Sequence, residues 1–111
     1  MEITIQKLNE TAMEIISTAG EAIVKGKEAM EHLADRQFEE AQSLLEIAQK
    51  YIVKAHNAQT NVIQTALANG KVEYSFLFSH AQDTLMTIES ELRVYQVLLN
   101  IERGRKEYEI S

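Results

Sequence analysis

The feature that most constrains the fold is the spacing of apolar residues, which alternates steps of three and four along three long segments of the 111-residue chain. This spacing places apolar side chains on one face of an α-helix. The first face consists of Ile5, Leu8, Ala12, Ile15, Ala19, Ala22, Gly26, Ala29 and Leu33. The second consists of Ala41, Leu45, Ala48, Ile52, Ala55, Gln59, Val62 and Ala66. The third consists of Ala81, Leu85, Ile88, Leu92, Tyr95 and Leu99. No segment has the sustained period of two that predicts a strand.

Two short breaks separate these segments, and both contain residues typical of helix ends. "LADRQFEEA" places Asp35 or Gln37 near the start of the second helix, with two glutamates in the first turn, where the helix dipole favours them. Gly70 suits a left-handed C-terminal cap, and Ser75 offers an N-cap oxygen to the third helix. Short connections make neighbouring helices antiparallel. We therefore predict one all-α domain over residues 1–111, an up-down-up antiparallel three-helix bundle with helices of roughly 30 residues.

Composition excludes several classes of protein. The chain has no cysteine, which excludes a disulfide framework and a thiolate zinc site. Its net charge of -6, without a visible basic patch, would repel nucleic acid. No apolar run reaches the roughly 18 residues of a transmembrane helix, and the amino end lacks the pattern of a signal peptide. We expect a cytoplasmic protein with no nucleic-acid partner and no direct membrane insertion.

The third helix carries a second apolar stripe beside the predicted core face. The stripe consists of Phe76, Asp83, Met86, Val97 and Ile101, with Ser79, Ser90 and Val94 alongside. Either a wider core or a partner subunit would bury it, and we favour the subunit. If copies of Asp83 converge at a symmetric interface, they must share protons or coordinate a hard cation. If the helix is exposed there, Asp83 is simply solvated.

Three histidines are candidates for chemistry. His32, near the end of the first helix, is expected to face solvent, and His56 is expected to have a structural role. Gln59 falls on the apolar face, where a buried carboxamide needs hydrogen-bond partners. His80 lies five residues beyond the Ser75 cap, where the helix dipole disfavours an imidazolium and so favours a neutral nucleophile. Residue types alone leave open whether His80 is a nucleophile or a solvated polar residue.

Four motifs together resemble one protein family. "HAQDTLM" and "KAHNAQTNVIQ" are similar to the third-helix and second-helix motifs of the lactose/cellobiose-type IIA components of the bacterial phosphoenolpyruvate-dependent sugar phosphotransferase system. "QFEEAQ" and "IISTAGEA" resemble the start of the second helix and part of the first helix in that family. The similarity covers about residues 10 to 105, and its specificity comes from the combination.

The resemblance implies a phosphocarrier with a phosphohistidine intermediate. Members are three-helix bundles that assemble as homotrimers and need no organic cofactor. By position, Nε2 of His80 would accept a phosphoryl group from the phosphohistidine of the carrier HPr. It would pass the group to a cysteine of the cognate IIB component during uptake of a β-linked disaccharide or β-glucoside.

The resemblance also assigns other positions. Asp83 matches the family aspartate at the trimer axis, with which a magnesium ion is associated. Gln59, His56 and Gln82 match motif positions and are expected to support the site. Thr84 stands where the family usually has a second histidine; a hydroxyl can still donate a hydrogen bond but cannot titrate in this range.

Two readings other than an active carrier follow from these residues. Thr84 keeps open a non-catalytic trimeric interaction or regulatory module derived from the family. A simple metal-binding bundle would need more inward carboxylates or histidines than Asp83 supplies. The segment "DRQFEEA" also lacks the glycine that the family often has before the second helix.

Overall fold

The structure, a computed structural model, describes residues 4–70 and 73–110. It contains three helices, α1 (Ile5–Ala34), α2 (Phe38–Asn69) and α3 (Phe76–Ile110), and no strand within those ranges. The helices pack side by side in a bundle that measures 61 × 20 × 17 Å. The predicted up-down-up three-helix bundle is therefore confirmed.

The three predicted apolar faces meet in the core. Its buried apolar residues are Leu8, Ala12, Ile15, Ala19, Ala22, Ala29, Phe38, Ala41, Leu45, Ala48, Ile52, Ala55, Val62, Ala66, Phe78, Ala81, Leu85, Leu92 and Leu99. Five predicted members of the faces are less than fully buried. Ile5 is 48% exposed because it begins α1 at the end of the bundle, and four others are half-buried: Leu33, Gln59, Ile88 and Tyr95.

α1 and α3 approach each other closely at Gly26. A Cβ atom at this position would lie 2.4 Å from Cδ2 of Leu92 and 3.2 Å from Cδ2 of Tyr95. Such distances are shorter than van der Waals contact, so any larger residue would force the side chains of Leu92 and Tyr95 to shift. A Cβ atom at Gly20, one turn and a half earlier on α1, would meet no atom within 4 Å, so that position imposes no such limit.

The helix ends follow the predicted caps. Gln37 is the N-cap of α2, Gly70 ends α2 in the left-handed conformation with φ 68°, and Ser75 caps α3. Arg36 also has a positive φ of 61°, a conformation that glycine adopts at lower cost. An ion pair with Glu102 at 3.4 Å holds the Arg36 guanidinium. The turn before α2, which lacks the glycine often found in the family, therefore contains a left-handed residue, Arg36, whose side chain is held by an ion pair.

The contact between α2 and α3 is bridged by polar side chains of α3 at intervals of seven residues. Glu89 contacts His56, Gln96 donates to Gln42 at 2.9 Å, and Arg103 donates to the carbonyl of Phe38 at 3.4 Å. No helix in the described part of the chain is long and apolar enough to cross a membrane.

Candidate functional site

The first turns of α3 set the position of His80. The Ser75 hydroxyl accepts the N–H of Phe78 at 3.0 Å, and the Ser75 carbonyl accepts the N–H of Ser79 at 3.1 Å. Phe78 and Ala81 are buried on either side of His80 in the chain and fix this turn against the core. The His80 side chain itself is exposed. The buried residues therefore hold this turn of α3 against the core, while the His80 side chain is exposed to solvent.

No hydrogen bond or ion pair links the His80 ring to another residue within 4–70 and 73–110. α3 has no lysine or arginine before Arg93, so no cation on this helix lies within two turns of His80. An exposed ring without an internal partner is available to a docking protein. α3 itself therefore supplies no guanidinium or ammonium group to clamp a phosphate on His80.

Gln82 and Thr84, predicted as supporting residues, lie close to His80 along the helix and are both half-buried. Gln82 and Ser79 line an open groove of about 450 Å³ between the end of α2 and the start of α3. Most of the other residues that line it are apolar, among them Leu8, Val62 and Phe78. The groove therefore borders the turn that carries His80.

Asp83 lies on the outer face of α3, within the second apolar stripe. Its carboxylate is exposed, and so are the apolar side chains around it. Phe76 is 78% exposed, Met86 67% and Val97 54%. The alternative of a wider core is therefore wrong, since the single chain leaves the stripe uncovered. The structure presents Asp83 as an exposed carboxylate in an exposed apolar surface.

A metal site cannot be assembled from one copy of the described chain. No group of three or more His, Cys, Asp or Glu residues in these ranges could hold an ion. Asp83 supplies a single carboxylate, whereas hard cations such as Mg²⁺ take several oxygen ligands. A cation at Asp83 would therefore need carboxylates from other copies of the chain.

His56 lies away from His80. Its Nε2 contacts the carboxylate of Glu89, which also binds the guanidinium of Arg93. The hydrogen bond with His56 lowers the pKa of the Glu89 carboxyl below its ordinary value, and the nearby Arg93 charge adds to this effect. Glu89 is nine residues, or about 13 Å, beyond His80 along α3. His56 bridges α2 and α3 instead of contacting the predicted site.

Gln59 and His32 are both half-buried. The half-buried Gln59 side chain makes no hydrogen bond to another residue of the described ranges, so its surroundings do not impose the polar partners that full burial would require. His32 is half-buried instead of fully solvent-facing, because it contacts Gln37 of the α1–α2 turn. Nδ1 of His32 lies 2.5 Å from Oε1 of Gln37 and donates to it, since an amide oxygen only accepts.

Sequence reasoning missed the residues that hold the start of α3 against α1. The Ser75 hydroxyl donates to Oδ1 of Asn9 at 2.7 Å, and the Glu73 carboxylate accepts the N–H of Ile5 at 2.7 Å. These pairs are separated by 66 and 68 residues in the chain. The spacing of residues within one helix does not indicate such long-range contacts. The predicted up-down-up bundle implies only that α1 and α3 run parallel, so that their first turns lie at the same end.

Comparisons with known proteins agree with this geometry. The family model of the lactose/cellobiose-specific IIA subunit of the PTS system matches residues 10–103. The chain is 39% identical to a lactose-specific EIIA component of Staphylococcus epidermidis over 67% of this chain and 71% of that protein. It is 30% identical to one from Lacticaseibacillus casei over 78% of each.

Solved structures support the same assignment. PtcA from S. mutans superimposes with a TM-score of 0.85 and 28% identity, over 91% of this chain and 99% of that chain. The cellobiose-specific enzyme IIA from Bacillus anthracis superimposes with a TM-score of 0.82 and 25% identity, over 96% of this chain and 95% of that chain. With an exposed, unpaired histidine near the start of its third helix and a family match over most of its length, this chain belongs to the lactose/cellobiose-specific IIA family of the sugar phosphotransferase system.

Proposed function

We propose that this chain is a cytoplasmic phosphocarrier in which Nε2 of His80 accepts a phosphoryl group from phospho-HPr. The group then passes to the cysteine of the cognate IIB component during uptake of a β-linked disaccharide or β-glucoside. The observation that carries the proposal is the exposed His80 ring, which has no internal partner in the described part of a IIA-family chain. Relatives named lactose-specific and a solved structure named cellobiose-specific support this class of sugar.

The transfer needs a neutral imidazole and correct placement. The lone pair on Nε2 of His80 attacks the phosphorus, the phosphorus–nitrogen bond of the donor breaks, and its electron pair stays on the donor nitrogen. In the second transfer the IIB thiolate attacks the phosphorus, and the electron pair of the broken bond returns to Nε2. Phosphoryl transfer depends mainly on positioning and electrostatics. The absence of lysine and arginine near His80 on α3 suits a site that must release the group again.

The active form is proposed to be a homotrimer assembled through the outer stripe of α3. More than half of each apolar side chain of this stripe is exposed in one copy: Phe76, Met86, Val94, Val97 and Ile101. An exposed apolar surface of this kind is typical of a seam between subunits. Burial of the exposed apolar side chains would drive the association.

In the trimer, the three Asp83 carboxylates would converge and could together hold Mg²⁺. The exposed position of Asp83 within the stripe and its carboxylate oxygens fit this role. The cation would neutralise the converging negative charges. Replacing Asp83 with leucine is expected to keep or strengthen assembly, because it removes charge from an apolar interface. Sedimentation velocity of Asp83→Leu and of the wild type, with and without Mg²⁺, measures this; weaker assembly of Asp83→Leu would contradict it.

A labelling assay tests the phosphocarrier role. The protein is incubated with phosphoenolpyruvate, enzyme I and HPr, and acid-labile phosphate is counted per chain. We expect one phosphate in the wild type and none in His80→Ala. His32→Ala and His56→Ala serve as controls and should still be labelled, because these rings contact Gln37 and Glu89 and lie away from His80. Persistent labelling of His80→Ala would show that the assignment is wrong.

The same assay separates the carrier from the interaction module. A non-catalytic module would form a folded trimer without phosphoryl uptake. The residue that favours this alternative is Thr84, which places a half-buried hydroxyl one turn after His80, where the family usually has a histidine. Uptake by the wild type excludes the module, and uptake by Thr84→His alone would identify Thr84 as the residue that removed the activity.

A further inference from the structure

We infer that Asn9 and Ser75 are positioning residues for phosphoryl transfer at His80: they lock the start of α3 to α1 and thereby fix where the histidine is presented. The role rests on the phosphoryl transfer proposed above. Ser75 is buried, whereas Asn9 is half-buried on the second turn of α1. Neither residue contacts the reacting atoms.

The Ser75 hydroxyl has more partners than an N-cap requires. As a cap it accepts the N–H of Phe78 at 3.0 Å, which satisfies one of the unpaired donors in the first turn of α3. It also donates its own proton to Oδ1 of Asn9 at 2.7 Å. The cap is therefore fixed to a second helix, because one hydroxyl group accepts and donates a hydrogen bond at once.

A second bond runs between the same two helix starts in the opposite sense. The carboxylate of Glu73, just before α3, accepts the N–H of Ile5 in the first turn of α1 at 2.7 Å. Negative charge is favourable at this positive end of the helix dipole. Together, the two bonds join the beginnings of the parallel helices α1 and α3 by side chains from both of them.

The need for these bonds comes from the sparse packing of this turn on its other sides. The open groove of about 450 Å³ lies between α2 and the turn that contains Ser79. Phe76, at the first position of α3, is 78% exposed, so its side chain contributes little packing within one chain. Besides Ser75, the buried side chains here are those of Phe78 and Ala81, and Leu77 packs against the core while only partly buried. A turn with a groove on one side depends more strongly on a directional contact to α1.

Transfer rates are sensitive to such placement. A displacement of about 1 Å at the reacting group can cost on the order of 100-fold in rate. His80 is one turn and a half beyond Ser75, so a shift of the cap is passed to the imidazole through the helix backbone. Loss of the Asn9–Ser75 bond should therefore slow transfer even when the bundle stays folded.

The test compares variants of the full chain in single-turnover phosphoryl transfer from phospho-HPr, at a temperature where circular dichroism shows every variant fully folded. Asn9→Leu, which removes the acceptor, is expected to lower the maximal transfer rate by about 10-fold or more, within the range that misplacement produces. The concentration for half-maximal rate should change little, since the docking surface is intact. Asn9→Asp keeps an acceptor oxygen and should retain a rate near that of the wild type.

Gln42→Leu is the matched control. It removes another interhelical side-chain bond, that between Gln42 and Gln96 at 2.9 Å, which lies towards the other end of the bundle. Its transfer rate should equal that of the wild type. Equal rates for Asn9→Leu and the wild type would overturn the positioning role, and so would equal slowing of Asn9→Leu and Gln42→Leu. An unlabelled wild type would instead overturn the proposed function itself, so the two failures are distinguishable.

Discussion

The two faces of α3 have similar apolar side chains but different surroundings. On the inner face, Leu85 and Leu99 are fully buried against α1 and α2. On the outer face, Met86 and Val97 are more than half exposed. The inner face explains why the chain folds as a bundle, since its largest side chains are buried in one copy. The outer face stays uncovered in one copy, which is why we propose that it mediates assembly.

The largest expected effect is the loss of assembly when a valine of the outer face, and not an exposed valine elsewhere, is replaced by lysine. Val97→Lys would place a lysine from every copy in the proposed trimer seam, where an unpaired charge is costly to bury. We expect the trimer to be lost at micromolar concentration while the helical circular dichroism is unchanged. Val53→Lys on α2, where the wild-type side chain is 49% exposed, should leave the trimer intact. Sedimentation velocity gives the masses, and a monomeric wild type would refute the seam.

The next effect concerns the inner face. Leu85→Ala removes a fully buried side chain and should lower the free energy of unfolding by about 3 kcal/mol, the middle of the range for such truncations. Met86→Ala, one residue on, should change it by less than about 0.5 kcal/mol when assembly is absent. Urea unfolding of both variants in the Val97→Lys background measures the difference. Similar losses at the two positions would mean that the faces are not distinct.

A smaller effect tests the close approach of α1 to the inner face. Gly26→Ala should lower the free energy of unfolding by about 1 kcal/mol, because overpacking against Leu92 and Tyr95 outweighs the better helix propensity of alanine. Gly20→Ala should instead raise it by up to about 1 kcal/mol, since no atom lies within 4 Å of the added methyl group. Thermal unfolding of the pair checks the opposite signs; stabilisation by both would show that α1 has room at Gly26.

The smallest effect is a pH dependence at the polar edge between the two faces. The hydrogen bond with His56 lowers the pKa of Glu89, so the folded state binds fewer protons than the unfolded state. This stabilisation is present above the ordinary pKa of 4.5 and is lost as the pH falls through the lower folded pKa. Since the pair is partly exposed, we expect less than about 1 kcal/mol.

Glu89→Gln removes this contribution, so its stability should fall less steeply than that of the wild type as the pH drops below 4.5. Glu21→Gln, at an exposed position of α1, is the control and should follow the wild-type curve. Urea unfolding at a series of pH values measures the slopes. Identical slopes for Glu89→Gln and the wild type would show that the His56–Glu89 contact does not stabilise the fold.

Local pattern was sufficient to predict the fold. The three-and-four spacing predicted all three helices, and Ser75 and Gly70 were predicted as caps because their chemistry is read from one or two neighbouring residues. The residue type of His80 does not determine whether its side chain is exposed. The family resemblance is what identifies His80 as the candidate nucleophile. Spacing places Gln59 on the apolar face but does not determine how closely the neighbouring helices pack there, and its side chain is half-buried.

Contacts between helices were beyond the reach of sequence reasoning. The pairs His56–Glu89 and Asn9–Ser75 join residues 33 and 66 positions apart. They depend on how far each helix is displaced along the bundle axis relative to its neighbours. A helical period is unchanged when one helix slides along another, so it does not determine which polar residues meet.

The most direct measurement is nitrogen–phosphorus correlation NMR on protein labelled with ¹⁵N-histidine, after incubation with phosphoenolpyruvate, enzyme I and HPr. We predict one phosphorus nucleus coupled to Nε2 of His80, with the ring signals of the other two histidines unchanged. Coupling to either of the other rings, or no coupling in a folded protein, would contradict the assignment of His80 as the phosphoryl carrier.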